Sequence, residues 1–317
     1  MKKSDRIYVA GHTGMVGSAI VKRLKYDGYN NLLLASHNEL ELLDQNAVAN
    51  FFTREQPNYV FLAAAKVGGI KANDQYRGKF LYENMTIQNN IIHSAFETDV
   101  KKLLFFGSAC IYPRNAKQPI KEEYLLSDYL ESTNEPYAIA KISGLKLCEN
   151  YFREYGKNFI SIMPNNLYGP HDNFDLNTSH VLPALIRKFY EGKINFNRDV
   201  EIWGTGSPQR EFLHVDDLVD ACMFLMKNLD AKKLHEMGIS HINVGSGEEC
   251  TIQELSILIK DIVGFKGNLI FNSDYPDGTP RKLLDISRLR SMGWESSINL
   301  EDGIKNLYNW YRENVDN

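Results

Sequence analysis

Cysteine is scarce in this chain of 317 residues: four in all, Cys110, Cys148, Cys222 and Cys250, with no Cys-x-x-Cys pair. So dispersed, they read as reduced thiols, which excludes a disulfide frame and a thiolate zinc site. The seven histidines other than His180 show no metal-ligand spacing, and no metal is expected. Long apolar runs are also missing. None approaches the roughly 18 residues of a membrane-crossing helix, and Met1-Lys2-Lys3-Ser4-Asp5-Arg6 leads into a strand-like run, not a signal-peptide core, so the cytoplasm is the expected compartment. Nor is there an excess of positive charge. A formal net charge of −4 gives no long-range attraction to nucleic acid or an anionic membrane, so an anionic ligand has to be held by local cations and backbone amides. No internal repeat or low-complexity stretch occurs. What remains is ordinary globular material, 43% hydrophobic and 24% charged, enough for a sizeable core.

The chain opens with Ile7-Tyr8-Val9-Ala10, a β-rich run that leads straight into Gly11-His12-Thr13-Gly14-Met15-Val16-Gly17, after which Ala19, Ile20 and Leu24 recur at helical spacing. Strand, glycine turn and helix make a dinucleotide fingerprint. Gly11 permits the tight turn, Gly14 lets a pyrophosphate approach the backbone and Gly17 lets the helix pack on the strand, with the anion at the helix N-terminus. Thr13, Met15 and Val16 belong to the same cofactor-binding loop. The second strand, Leu32-Leu33-Leu34-Ala35, should end where an acidic residue would hold the ribose 2′-hydroxyl of NAD, or a basic one the 2′-phosphate of NADP. No carboxylate stands there until Glu39, whereas Ser36, His37 and Asn38 can all hydrogen-bond a phosphate, which favours NADP. Asp44 suits either the adenine end of the cofactor or the N-cap of a helix over Gln45–Glu55.

A third strand, Tyr59-Val60-Phe61-Leu62, is followed by Ala63-Ala64-Ala65; Ala63 and Ala65 offer small side chains where a cofactor would lie against the sheet. A helix-rich stretch spans about 73–98. Leu103-Leu104-Phe105-Phe106-Gly107 reads as a buried strand, with Phe106, Gly107 and then Ser108 at the carboxyl edge where open α/β sheets bind ligands. Residues 113–136 read as a loop, and Pro136 starts a helix. A further strand over 158–163 runs into Pro164, Asn166 and Leu167. Alternating strands and helices predict an α/β fold, a doubly wound parallel sheet of Rossmann type, with a smaller C-terminal substrate-binding lobe. The expected division is residues 1–170 for the cofactor domain, with returning segments from about 205–245, and 171–317 mainly for the lobe. In the latter, Arg187, Lys188, Arg210, Arg281 and Lys282 are available to anions. His214-Val215-Asp216-Asp217 reads as a loop entering a helix capped by Asp216 or Asp217.

Tyr137 and Lys141 are four residues apart and so project from one helical face. A cation beside the phenol favours phenolate, which would bring the tyrosine nearer working pH as a general acid toward a carbonyl oxygen. Together with Gly11-x-x-Gly14-x-x-Gly17, Ser108 and Arg210-Glu211-Phe212-x-His214-Val215-Asp216-Asp217, this pair resembles the extended short-chain dehydrogenase/reductases that act on nucleotide sugars. More narrowly, Ala63 to Ile70, Gly107 to Pro113, Asn134 to Lys141, Asn166 to Phe174 and Pro276 to Lys282 resemble the GDP-L-fucose synthase family, nearly end to end.

The resemblance implies an NADPH-dependent homodimer that takes a GDP-linked 4-keto-6-deoxy sugar, epimerises C3 and C5, and reduces C4. It implies Ser108, Tyr137 and Lys141 as the reductase triad, and Cys110 and His180 as the epimerisation acid and base. Cofactor contacts would come from the glycine loop, Ser36, His37, Asp44, Ala63, Ala65, Phe106, Gly107, Lys141, Pro164, Asn166, Leu167 and His180. Substrate contacts would come from Asn166, Arg187, Lys188, Trp203, Arg210 and Lys282. Taken alone, Cys110 could be a small buried hydrophobe and His180 a helix cap. Thr13 and Ala35 to His37 stand where the best-known members carry arginines for the 2′-phosphate. The rival readings are a C4-reductase that does not epimerise, an enzyme of a related GDP-4-keto-6-deoxy heptose, a nucleotide-sugar 4-epimerase, and a cofactor-sensing regulator.

Overall fold

The computed structural model describes residues 1–275 and 277–315; Pro276, part of one family-like motif, lies outside them. The strands are β1 (Ile7–Ala10), β2 (Leu32–Leu33), β3 (Tyr59–Leu62), β4 (Lys102–Phe106), β5 (Phe159–Pro164), β6 (Asn166–Tyr168), β7 (Asp199–Trp203), β8 (Gln209–His214), β9 (Ile242–Val244), β10 (Glu249–Thr251), β11 (Asn268–Asn272) and β12 (Arg281–Lys282). The first helices are α1 (Met15–Tyr26), α2 (Gln45–Glu55), α3 (Ile70–Gln75), α4 (Arg77–Glu97) and α5 (Glu135–Tyr155). Then follow α6 (Val181–Ile194), α7 (Val215–Asn228), α8 (Ala231–Glu236), α9 (Ile252–Val263), α10 (Ser287–Ser291) and α11 (Leu300–Asn314).

The central sheet has six strands in the order β2-β1-β3-β4-β5-β9, every pair parallel. Its central strands read as continuous apolar runs because helices cover both faces. Alternation along β1 divides them: Ile7 and Val9 join Ile20 and Leu24 of α1 and Leu218 and Cys222 of α7, while Tyr8 and Ala10 join Phe52 of α2, Ile91 of α4 and Leu145 of α5. Strand order reverses between β1 and β3, so a ligand crevice opens outside their carboxyl ends. The second strand is shorter than the apolar run suggests. At its end Ser36 donates both its N–H and hydroxyl to Glu39 Oε2, at 2.8 and 2.7 Å, and the chain turns there instead of extending to Ala35.

A second core, with Phe189, Phe212, Leu255, Ile304 and Leu307, lies under β8, which pairs with β6, β10 and β12. The chain then returns: α7 packs on α1, and β9 pairs with β5. The entry to α7 corrects the sequence expectation. His214 is the N-cap and its Nδ1 accepts from Asp216 N at 3.2 Å, whereas Asp217 accepts from Ser297 and Ile298 and so ties α7 to the chain before α11.

Candidate active site

The glycine loop follows β1, with Ala63 to Ala65 after β3, Gly107 after β4, and Asn166 and Leu167 after β5, so the parallel topology brings all of them to one sheet edge. The residues fit a dinucleotide. Gly11 has φ +81°, and a Cβ there would meet the Ala64 backbone at 2.8 Å; a Cβ on Gly17 would lie 2.0 Å from Gly11 O. Gly14 caps α1 without a side-chain bond and no acidic residue occupies the first turn, which leaves the helix N-terminus open to an anion. Ala63, Ala65, Met15 and Val16 are half-buried along this edge, and Thr13 is exposed.

The adenosine end differs from expectation. Ser36 is engaged by Glu39, and His37 Nε2 lies 3.3 Å from Glu41 Oε2, so a 2′-phosphate would have to displace two carboxylates. Asp44 accepts from Asn46 N and Ala47 N at 2.9 and 3.0 Å, the helix-capping one of its two readings. His12, which the sequence reading passed over, is close enough for its charge to help hold the Glu39 carboxyl low, behind the larger effect of the Ser36 hydrogen bonds.

Beside that edge is a cavity of about 370 Å³ whose wall contains Ser108, Cys110, Tyr137, Asn166, Leu167 and His180 together with Lys188, Trp203, Arg210 and Lys282. Ser108 leads a turn of 3-10 helix, Ala109–Ile111, and its Oγ accepts from Cys110 N at 3.4 Å; Cys110 is thereby presented at the end of β4. Burial pushes the Cys110 thiol up, against the Ser108 hydrogen bond and the Lys282 and Lys141 cations, which pull it down. His180 holds the N-cap position of α6, but its ring makes no capping bond and faces the cavity. The surrounding walls, then the Lys282 cation, keep its pKa below the ordinary histidine value.

Lys141 lies behind the cavity wall. Its Nζ donates to Phe106 O at 2.8 Å and stands 5.7 Å from the centre of the Tyr137 ring. Burial lowers its pKa to about 8 and raises that of Tyr137 above the ordinary phenol, so desolvation outweighs the expected pull of the lysine. The cavity's cations, Lys188, Arg210 and Lys282, are all held low, first by burial. None of them forms a salt bridge among the described residues, an arrangement that an anionic ligand would relieve. Trp203 stacks on Tyr275 at 4.4 Å and 8°, with Lys188 Nζ 4.9 Å above the Trp203 ring. Arg187 does not join them. One residue along α6 is a turn of about 100°, and its guanidinium is paired with Glu191 at 2.6 Å and donates to Phe174 O at 3.1 Å, outside the cavity. Glu131, Asn134, Asn177 and Ser179 also line the cavity. Glu131 was read only as loop and Asn134 only as the start of a family-like motif, although their place just ahead of Tyr137 was a usable signal.

Residues 7–245 match the NAD dependent epimerase/dehydratase family. GDP-L-fucose synthase 1 of Arabidopsis thaliana is 55% identical over 315 residues, 99% of this chain and 95% of the relative. GDP-L-fucose synthase of Escherichia coli is 53% identical over 314 residues, 98% of each. The chain belongs to the GDP-L-fucose synthase family. Among solved structures, a GDP-D-glycero-L-gluco-heptose synthase from Campylobacter jejuni, determined in the presence of NADPH, superposes with a TM-score of 0.93 at 44% identity, covering 98% of this chain and 99% of that one. Similarity over both full lengths means that the cofactor edge and the cation-lined wall both fall within the region shared with these GDP-L-fucose synthases.

Proposed function

We propose that this protein converts GDP-4-keto-6-deoxy-D-mannose to GDP-L-fucose, as an NADPH-dependent 3,5-epimerase and 4-reductase. The observation that carries the reading is the gathering of Ser108, Cys110, Tyr137 and His180 in one cavity with three cations, and Lys141 behind its wall. NADPH, when bound on the glycine edge, supplies the hydride for C4. Ser108 and Tyr137 donate hydrogen bonds to the C4 oxygen as negative charge develops. Because C3 and C5 both neighbour that carbonyl, the same stabilised oxygen makes both C–H bonds acidic, and Cys110 and His180 take a proton from one face of the ring and return it to the other. Tyr137 then protonates the oxygen during reduction, with Lys141 as the adjacent cation. Lys188, Arg210 and Lys282 hold the diphosphate, and the Trp203 ring offers a stacking surface to the base.

Among the described residues no helix is long and apolar enough to cross a membrane, in keeping with work in the cytoplasm. A homodimer fits the exposed Tyr82 on α4 and Tyr155 on α5, two helices that pack side by side. The test of the function is incubation with GDP-4-keto-6-deoxy-D-mannose in D₂O without reduced cofactor, then reduction with NADPH. Deuterium at C3 and C5 and an L-fuco product are expected. An unlabelled product that keeps its C3 and C5 configuration would instead make the protein a C4-reductase.

A further inference from the structure

Cys110 lines two spaces. One is the substrate cavity; the other is a recess of about 10 Å³, walled by Cys110, Arg114, Gln118, Glu131, Asn134 and Lys282. Such a volume holds about one water molecule where polar partners surround it. Glu131 and Asn134 belong to both walls. Each carries a buried oxygen, Glu131 Oε2 and Asn134 Oδ1, that takes no hydrogen bond among the described residues. Glu131 Oε2 is ion-paired at 3.1 Å with Arg114 Nε without hydrogen-bond geometry, and the Arg114 side chain is 50% exposed. A carboxylate paired with a solvent-facing guanidinium thus shares the recess with Cys110.

Inverting two carbons with one acid and one base imposes a requirement. After the first inversion, the group that took the ring proton is protonated and the group that gave one is not. The second inversion needs both restored while the substrate still fills the cavity. His180 is the more exposed of the two, whereas Cys110 is 7% exposed, so it is Cys110 that solvent does not reset directly.

We propose that Glu131, through a water in the recess, resets the protonation of Cys110 between the two inversions. The proposal rests on the epimerising function above. If Cys110 has taken the ring proton, the S–H bond breaks, the proton passes to the water, and a proton of that water passes to a Glu131 carboxylate oxygen, which leaves thiolate for the second carbon. If Cys110 has given its proton, the same chain runs in reverse from the carboxyl group. Glu131 re-equilibrates with solvent beside Arg114. Only protons move, so no oxidant or reductant is needed.

The test is the ratio of deuterium entry at the second ring position to entry at the first, measured in D₂O without NADPH. In Glu131→Gln this ratio should fall by about tenfold or more, the scale of a lost proton-transfer group, and Glu131→Asp should restore much of it. A wild-type ratio in Glu131→Gln, or equal loss at both positions, would overturn the proposal. Should the glutamine variant fail to fold, the native enzyme decides. Substrate deuterated at C3 and C5, turned over in H₂O, should lose its label to solvent, and transfer of deuterium from one carbon to the other would mean that Cys110 keeps its proton. No exchange at all in the native enzyme would instead refute the epimerase reading itself.

Discussion

At Tyr137 and Lys141, burial and charge pull in opposite directions. The cation beside the phenol was expected to lower its pKa, yet the apolar surroundings raise it, so Tyr137 enters the reaction as a firmly neutral donor. That suits the role of an acid. Tyr137→Phe should lower C4 reduction by about two orders of magnitude, read as kcat/KM with NADPH, because no other cavity hydroxyl donates from its position. Lys141, held at about 8 by burial, should give kcat/KM a limb that falls above that pH and that Lys141→Met abolishes at a much lower rate. Stability should move the other way. Between about 8 and the unfolded value of 10.5 the unfolded chain binds more protons, so the lysine's effect on folding becomes more favourable as pH rises, and the Tm of the wild type should rise relative to that of Lys141→Met across that window.

The elements of the cofactor edge show what a sequence can and cannot convey. The glycine loop was legible because steric demand leaves no substitute: only glycine tolerates the φ of +81° at position 11 and the approach of Gly11 O to Gly17. Gly17→Ala should therefore destabilise the protein by about 1–3 kcal/mol, as overpacking does, and raise the KM for NADPH, measured by thermal melts and initial rates. The serine and histidine after β2 were legible only as types. Ser36 hydrogen-bonds Glu39 and His37 lies against Glu41, three and four residues further on, and composition does not say which partner a hydroxyl will choose. If Glu39 stands against the 2′-phosphate, Glu39→Gln should raise the NADPH to NADH ratio of kcat/KM several-fold; an unchanged ratio would place the phosphate elsewhere. Arg187 failed for a related reason, since adjacent helical residues point to different sides and only the packing of α6 shows that Lys188 is the one facing the cavity.

Across the whole molecule, the site depends on segments distant in sequence, and Glu211 joins them. It is fully buried in β8, with Oε2 accepting from Asn165 Nδ2 at 2.6 Å and Leu284 N at 3.1 Å, and Oε1 from Gly247 N at 2.7 Å. Asn165 Nδ2 also donates to Lys282 O at 3.2 Å, and Asn166 Nδ2 to Glu211 O at 2.8 Å. The ends of β5, β9 and β12 thus meet on one carboxylate, flanked in sequence by Arg210 and held two residues from Lys282. Burial raises its pKa, and the Asn165, Gly247 and Leu284 donors oppose that. Glutamine at this position has nearly the same shape but must turn an NH₂ toward one of those donors. Leaving a buried donor unsatisfied costs about 1–3 kcal/mol, so Glu211→Gln should lower the Tm by several degrees. Because the displaced segments carry the cavity's cations, substrate KM should rise more than kcat falls, whereas the KM for NADPH, set by Asn166 together with the glycine loop and the ends of β3 and β4, should rise less. Equal losses in both KM values would show that Glu211 supports the fold as a whole and not the junction between its two cores.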